Sequence, residues 1–327
     1  MALEKISEET AGGLLPEELF EKKRLETLKR QHKKRLLMEE VQGTLMASGP
    51  FVGFLLFSLV PMLVSLILSF TQLNSSDITT AKWVGFGNYV RIFQEKLFYK
   101  SIFNTLYYCL NVLINLVVSI FLANLLSKGL HGSTFTRTIL FVPSVCSSVA
   151  ITLMWTWIFN EKGVLNTVLG FLHLGRIGFI STSQWFMPST LVITVWMYGT
   201  NIILLQTALA NVDVSLKEAA KIDGASDIRI FYSVVLPTIT PTIFYLLITN
   251  TVRSIAEVGL MQLITSNDVG PNYSALTLSY YMYRMGWVDM DSYGFGMASA
   301  LSWIMAVGIG FLTVLNFKMS KKWVNYD

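Results

Sequence analysis

Two groups of residues have the means to do chemistry, and both sit in or beside long apolar runs. The first is Arg253 and Glu257, a cation and an anion inside the run that follows Pro237. A charge carried into a membrane-spanning helix costs at least about 2.5–3.5 kcal/mol on insertion scales, so such residues are kept for pairing or for lining a polar path. Their spacing of four puts both on one helix face. There they would form an internal ion pair or a polar patch. Counted from Pro237, Arg253 lies about 24 Å along that helix, in the outer half of a bilayer. The second group is the polar segment Glu218–Pro237, EAAKIDGASDIRIFYSVVLP. Asp213 and Ser215 offer N-caps to a short helix, and Ser215-x-x-Glu218 reads as a capping box. Gly224 stands where a helix ends on positive φ, Asp227 is placed to cap a second helix, and Pro237 suits the first turn of the next.

Other chemistries lack their residues. The chain has no G-x-x-x-x-G-K-[ST] phosphate loop and no Ser/His/Asp or Cys/His arrangement, so no catalytic residue is assigned and an enzyme acting alone is not expected. Cys109 and Cys146 fall in apolar runs, His32, His131 and His173 are dispersed, and Asp289 and Asp291 lack calcium-loop spacing, so no metal or disulfide is expected.

The elements that must position these groups are membrane helices. The 327 residues have a mean hydropathy of +0.52, 53% hydrophobic and only 14% charged residues, against about 25% charged in soluble domains. Six apolar stretches are long enough to span about 30 Å of hydrocarbon: roughly 45–70 with a kink at Pro61, 102–126, 138–159, 186–209, 237–264 and 296–317. The second carries Asn104, Asn111, Asn115 and Asn124, amides that must find partners on other helices. Trp155 and Trp157 suit an interface. The aromatic-rich stretch 266–293 reads as an outer loop, and Gly308 and Gly310 allow a close helix approach. Before the first span, residues 1–44 form a charged extension without a signal-peptide pattern, helical from about residue 17. Its basic block from Lys22 to Arg35 places the N-terminus in the cytoplasm and suits anionic lipid; Lys318, Lys321 and Lys322 place the C-terminus there too. The net charge of +4 implies no nucleic-acid partner.

The polar segment resembles a known signature. Glu218-Ala219-Ala220, Asp223-Gly224-Ala225, Val234 and Leu236-Pro237 fall at the spacing of the EAA motif, with Val234 in place of the usual Ile. That motif belongs to the permease subunits of ATP-binding-cassette importers, and its EAAxxDGA form is similar to the carbohydrate-uptake, maltodextrin-type members. Trp83–Phe93, WVGFGNYVRIF, the Arg137–Asn160 stretch with Pro143, and GMASALS at Gly296–Ser302 are similar to the same family, over roughly residues 45–320.

The resemblance implies an all-α membrane protein with six transmembrane helices, a cytoplasmic coupling helix within the EAA loop 211–237 and an N-terminal cytoplasmic helix. Its parts are an extension 1–44, a permease domain 45–320 and a tail 321–327, in the bacterial inner membrane. It implies a carbohydrate importer using alternating access, in which this chain is the first, F-type member of a permease pair. The partners are a second permease, two ATPase subunits that hold ATP and Mg, and an extracytoplasmic sugar-binding protein. Glu218, Ala219, Ala220, Asp223, Gly224 and Pro237 are implied to couple to the ATPase. Trp196, Asn201, Arg253, Ala256 and Glu257 are implied to line the substrate pathway. The chain departs from the family at Arg253–Val258 and Thr265–Pro271, which leaves the particular sugar open. An importer for a polyol or glycerol phosphate is the near alternative. A stand-alone secondary transporter or channel is the distant one, and it leaves the glycine-broken polar helix pair unexplained.

Overall fold

The computed structural model describes residues 16–74, 77–128 and 132–325; expectations resting on residues 1–15, His131 and the last two residues lie outside them. The fold is all-α. In chain order the α-helices are α1 (Pro16–Phe54), α2 (Val60–Ser69), α3 (Gly87–Gln94), α4 (Lys96–Tyr108), α5 (Leu110–Ser127), α6 (Ser133–Val145), α7 (Ser148–Ile158), α8 (Val164–Phe171) and α9 (Ser183–Met197). They continue with α10 (Gly199–Ala210), α11 (Val214–Ile222), α12 (Asp227–Ile230), α13 (Leu236–Thr238), α14 (Thr240–Ile255), α15 (Gly259–Ile264), α16 (Leu278–Tyr283) and α17 (Gly294–Ser320). Among the described residues the strands are β1 (Thr71–Gln72) and β2 (Lys82–Trp83), antiparallel, with Thr71 opposite Trp83.

The chain divides into two compact units, residues 1–64 and 65–327. In the first, α1 runs without a stop through residue 44, where the sequence suggested a boundary between extension and span. Gly43 is helical and no C-cap geometry interrupts the run. Arg35 and Glu39 form an exposed pair at 2.9 Å, the kind that adds only tenths of a kcal/mol. Pro61 produces a widened π-helical turn at Leu55–Leu59. Proline lacks the N–H that would reach the carbonyl four residues back, and its ring crowds that carbonyl; an extra residue in the turn makes room. Pro237 follows a second π turn, Phe231–Val235, for the same reason.

The second unit has two apolar clusters. One gathers Ile92, Phe98, Tyr108, Phe186, Tyr280, Met297 and Leu301; the other gathers Leu116, Leu126, Leu205, Leu209, Ile230, Val235, Ile239 and Leu246. Three stretches are single helices apolar and long enough to span, Phe20–Ser69, Lys96–Ser127 and Gly294–Ser320; three more are bent pairs. α6–α7 bend by 103°, α9–α10 by 48°, and Asp227–Thr238 with α14 by 65°. The six apolar stretches are therefore present, but the third, fourth and fifth are broken.

Several expectations change. Residues 266–293 are more than an outer loop: Ala275, Leu276, Tyr280, Tyr281 and Met285 are buried, while Trp287 remains exposed. Trp155 packs edge-on against Trp196 with ring centroids 5.4 Å apart, and only Trp157 stays fully outside. Gly308 and Gly310 meet nothing. The close approach is at Gly294 and Gly296, where an added Cβ would collide with the carbonyls of Leu73 and Thr71 respectively. Asn88 explains part of the WVGFGNYVRIF stretch: its buried amide donates to the Ser69 and Thr71 carbonyls at 2.9 and 2.8 Å, clipping α3 to the end of α2.

Candidate functional site

The polar segment folds as two helices around a glycine turn. Asp213 is the N-cap of α11, its carboxylate accepting from the Ser215 amide at 2.8 Å. The Ser215/Glu218 capping box does not form, because the N-cap is Asp213, two residues earlier, and the helix begins at Val214. The Ser215 amide and hydroxyl hold the Asp213 carboxyl below its ordinary range. At the other end Gly224 has φ +77°, with its amide donating to the Lys221 carbonyl and that of Ala225 to the Ala220 carbonyl, both at 3.0 Å. This pair of bonds is a Schellman stop, which requires a left-handed residue after the C-cap. Ser226, rather than Asp227, caps the next helix, accepting from the Arg229 amide at 3.4 Å.

The two helices differ in how they are held. α11 has no buried residue, and Glu218, Ala219, Asp223 and Gly224 are exposed while Ala220 is half-buried. Val214, Leu216, Ile222 and Ile228 are exposed as well, Ile222 at 87%. From α12 onward the segment is anchored: Ile230 and Val235 join the cluster formed with α5, α10 and α14, and Pro237 is half-buried. The arrangement is a presented helix on a fixed stem, the stem continuous with the helix that leads to the charged residues.

That helix, α14, ends at Ile255, and this overturns the shared face of Arg253 and Glu257. Ala256 is the C-cap, and Glu257 lies in the break before α15. Glu257 Oε1 accepts from the Leu260 amide at 2.8 Å, at the N-terminus of the next helix. Four residues apart means one face only while the helix continues. Among the described residues the ion pairs are Arg35–Glu39 and Arg284–Asp289, so Arg253 and Glu257 do not pair. The bend at Ile239 also shortens the straight run from Thr240 to Arg253 to about 20 Å.

Arg253 and Glu257 nevertheless line one cavity of about 690 Å³, with Asn201, Asn250, Tyr108, Thr152, Thr194, Tyr198 and Ser254. Behind its wall, Tyr198 Oη donates to Asn111 Oδ1 at 3.4 Å, and Asn111 Nδ2 donates to Ser254 Oγ at 2.8 Å. Asn111 and Asn104 reach across the fold as expected, Asn104 donating to the Tyr273 and Leu276 carbonyls at 2.8 and 3.0 Å. Asn115 instead donates to the Asn111 carbonyl of its own helix at 2.8 Å. Of the other pathway candidates, exposed Ala256 is not among the cavity's lining, and Trp196 lies in a separate apolar hollow with Trp155, Val192 and Ile202. Sequence reasoning missed Tyr198, Asn250 and Ser254. Their signal, polar side chains inside apolar runs, was available but did not say which cavity they share.

Broken, apolar helices around a polar cavity, joined to an exposed glycine-turned helix, define the architecture of a membrane transport subunit. Residues 115–321 match the family described as the binding-protein-dependent transport system inner membrane component. The chain is 32% identical over 290 residues to the probable ABC transporter permease protein YesP of Bacillus subtilis (strain 168), covering 85% of this chain and 90% of that one. It is 30% identical over 288 residues to the lactose transport system permease protein LacF of Rhizobium radiobacter, covering 86% and 95%. To the sn-glycerol-3-phosphate transport system permease protein UgpA of Yersinia pestis it is 29% identical over 254 residues, covering 76% and 83%. A solved bacterial alginate ABC transporter, in complex with an alginate pentasaccharide-bound periplasmic protein, contains a chain that superposes with a TM-score of 0.75. The identity there is 25%, covering 87% of this chain and 95% of that one. The chain belongs to the family of binding-protein-dependent transport system inner membrane components, the permeases of ABC transporters.

Proposed function

We propose that this chain is one of two permease subunits of a bacterial carbohydrate importer. It provides half of an alternating-access pathway and joins that pathway to two partner ATPases, which bind the ATP and Mg. A periplasmic binding protein delivers the sugar, and both ends of the chain face the cytoplasm. The observation that carries the reading is α11. An exposed helix bearing Val214, Leu216 and Ile222 beside Glu218 is stable in isolation only at the cost of wet apolar surface, and a partner groove removes that cost. Its stem enters the bundle as α12–α14, helices joined end to end across a 65° bend, so a displacement of α11 can be passed along them to the cavity wall. The lactose permease relative and the alginate transporter neighbour favour a saccharide. The glycerol-phosphate permease relative keeps a second reading open, import of a small phosphorylated polyol.

Residues 1–44 act as a cytoplasmic and lipid-facing extension, residues 45–320 as the permease domain and residues 321–327 as a tail. Co-expression with a candidate second permease, ATPase and binding protein, followed by affinity purification of this chain, tests the assembly. A second permease and an ATPase should co-purify, and the complex in vesicles with its binding protein should show sugar-stimulated ATP hydrolysis. Purification of this chain without an ATPase would refute the reading in favour of a stand-alone transporter.

A further inference from the structure

The cavity is unbalanced in its hydrogen-bonding and charge. Its charged lining residues are Arg253 and Glu257. Glu257 already has a role, holding the backbone amide of Leu260 at the start of α15. Arg253, exposed and lining the cavity, forms no ion pair among the described residues. Two further donors share the wall. Asn201 and Asn250 are 5% and 2% exposed, and the Nδ2 atom of each is buried with no hydrogen-bond partner. A buried, unmet donor is unfavourable until an acceptor arrives, and a guanidinium offers a planar fork that fits a carboxylate or phosphate better than a lone hydroxyl. Neutral sugar hydroxyls could meet the two amides; they would leave the cation uncompensated.

On the basis of the import reading above, we propose that the cavity takes an anionic saccharide and that Arg253 is the residue selecting its oxyanion, the side chains of Asn201 and Asn250 turning out of the wall to donate to neighbouring oxygens. The oxyanion is a sugar carboxylate or a sugar phosphate; both present the same acceptors to the fork. Glu257 keeps the α14–α15 break in shape and bars a second anion from that end of the cavity.

The test uses the complete importer, reconstituted with its binding protein. The probes are digalacturonate, its neutral methyl ester and galactose 6-phosphate, with calorimetry first showing which of them the binding protein carries. Initial uptake is then compared for the wild type, Arg253→Gln and Arg253→Lys. Rates are read as the acid-to-ester ratio within each preparation, so a lower yield of folded variant cancels. The expected result is uptake of an acidic probe that falls roughly ten- to hundredfold in Arg253→Gln, the range for a lost hydrogen bond to a charged group. Arg253→Lys should fall between. Digalacturonate and galactose 6-phosphate then separate carboxylate from phosphate. Equal loss of acid and ester uptake in Arg253→Gln would mean that Arg253 is paired with a carboxylate of the second permease, and would overturn the inference. So would a neutral sugar transported equally by wild type and variant, although carbohydrate import would stand. If the complex moves only a solute that is not a saccharide, the import reading fails first and the inference with it.

Discussion

Replacing Gly224 isolates the turn that ends α11. Its φ of +77° is in the left-handed region, and a Cβ built there meets no atom within 4 Å. Within this chain any penalty is therefore backbone strain. For alanine the left-handed conformation costs about 1–2 kcal/mol, which shifts the ratio of formed to opened turn by about 5- to 30-fold. Valine, branched at Cβ, is a stronger outlier there, while asparagine tolerates the conformation. Opening the turn also releases the two 3.0 Å bonds from Gly224 and Ala225, each a net contribution of about 0.5–1.5 kcal/mol. The strain stays local, because the stem is held independently by Ile230 and Val235. The expected order of coupling is Gly, then Asn, then Ala, then Val, with the permease inserted in normal amount throughout. The assay is substrate-stimulated ATP hydrolysis and uptake by the reconstituted complex, with co-purified ATPase quantified alongside. Normal coupling in Gly224→Val, or an asparagine variant as defective as the valine one, would refute the reasoning.

Three further outcomes follow from the same geometry. Gly296→Ala drives a methyl into the Thr71 carbonyl, backbone that cannot step aside, so detergent-extracted protein should show a marked loss of folded yield, whereas Gly308→Ala should be neutral. Asp213 has a depressed carboxyl pKa, so its charged cap is complete at neutral pH. The cap persists below the ordinary value of 3.8 and is lost only as pH falls through the depressed value; the protection of amides 214–222, corrected for the intrinsic exchange rate at each pH, should fall with acid in the wild type but not in Asp213→Asn. Since Arg253 and Glu257 do not pair with each other, the double variant's thermal destabilisation should equal the sum of the singles within about 0.5 kcal/mol, and Glu257→Gln should be milder than Glu257→Ala because it retains an acceptor for Leu260; a larger coupling would mean that the two charges meet.

The sequence by itself determined the class of fold and the two short helices joined at the Gly224 turn. Apolar runs of spanning length depend only on composition, and the Gly224 turn is local chemistry: a residue with no Cβ, flanked by helix formers, stops a helix wherever it folds. Motif spacing carried the family for the same reason, since Glu218 through Pro237 act within a few turns of one another. Tertiary structure decided what depends on where helices break and what they meet. Arg253 and Glu257 looked like neighbours on one face until α14 stopped at Ile255, because periodicity assumes a continuity it does not itself establish. Gly294 and Gly296 mattered rather than Gly308 and Gly310, since a glycine permits close approach but the facing backbone at Thr71 and Leu73 decides where one occurs. The cavity shared by Asn201, Asn250 and Arg253 draws on residues up to fifty-two positions apart. Only the 48° and 65° bends and the packing of α10 on α14 bring those side chains to one wall.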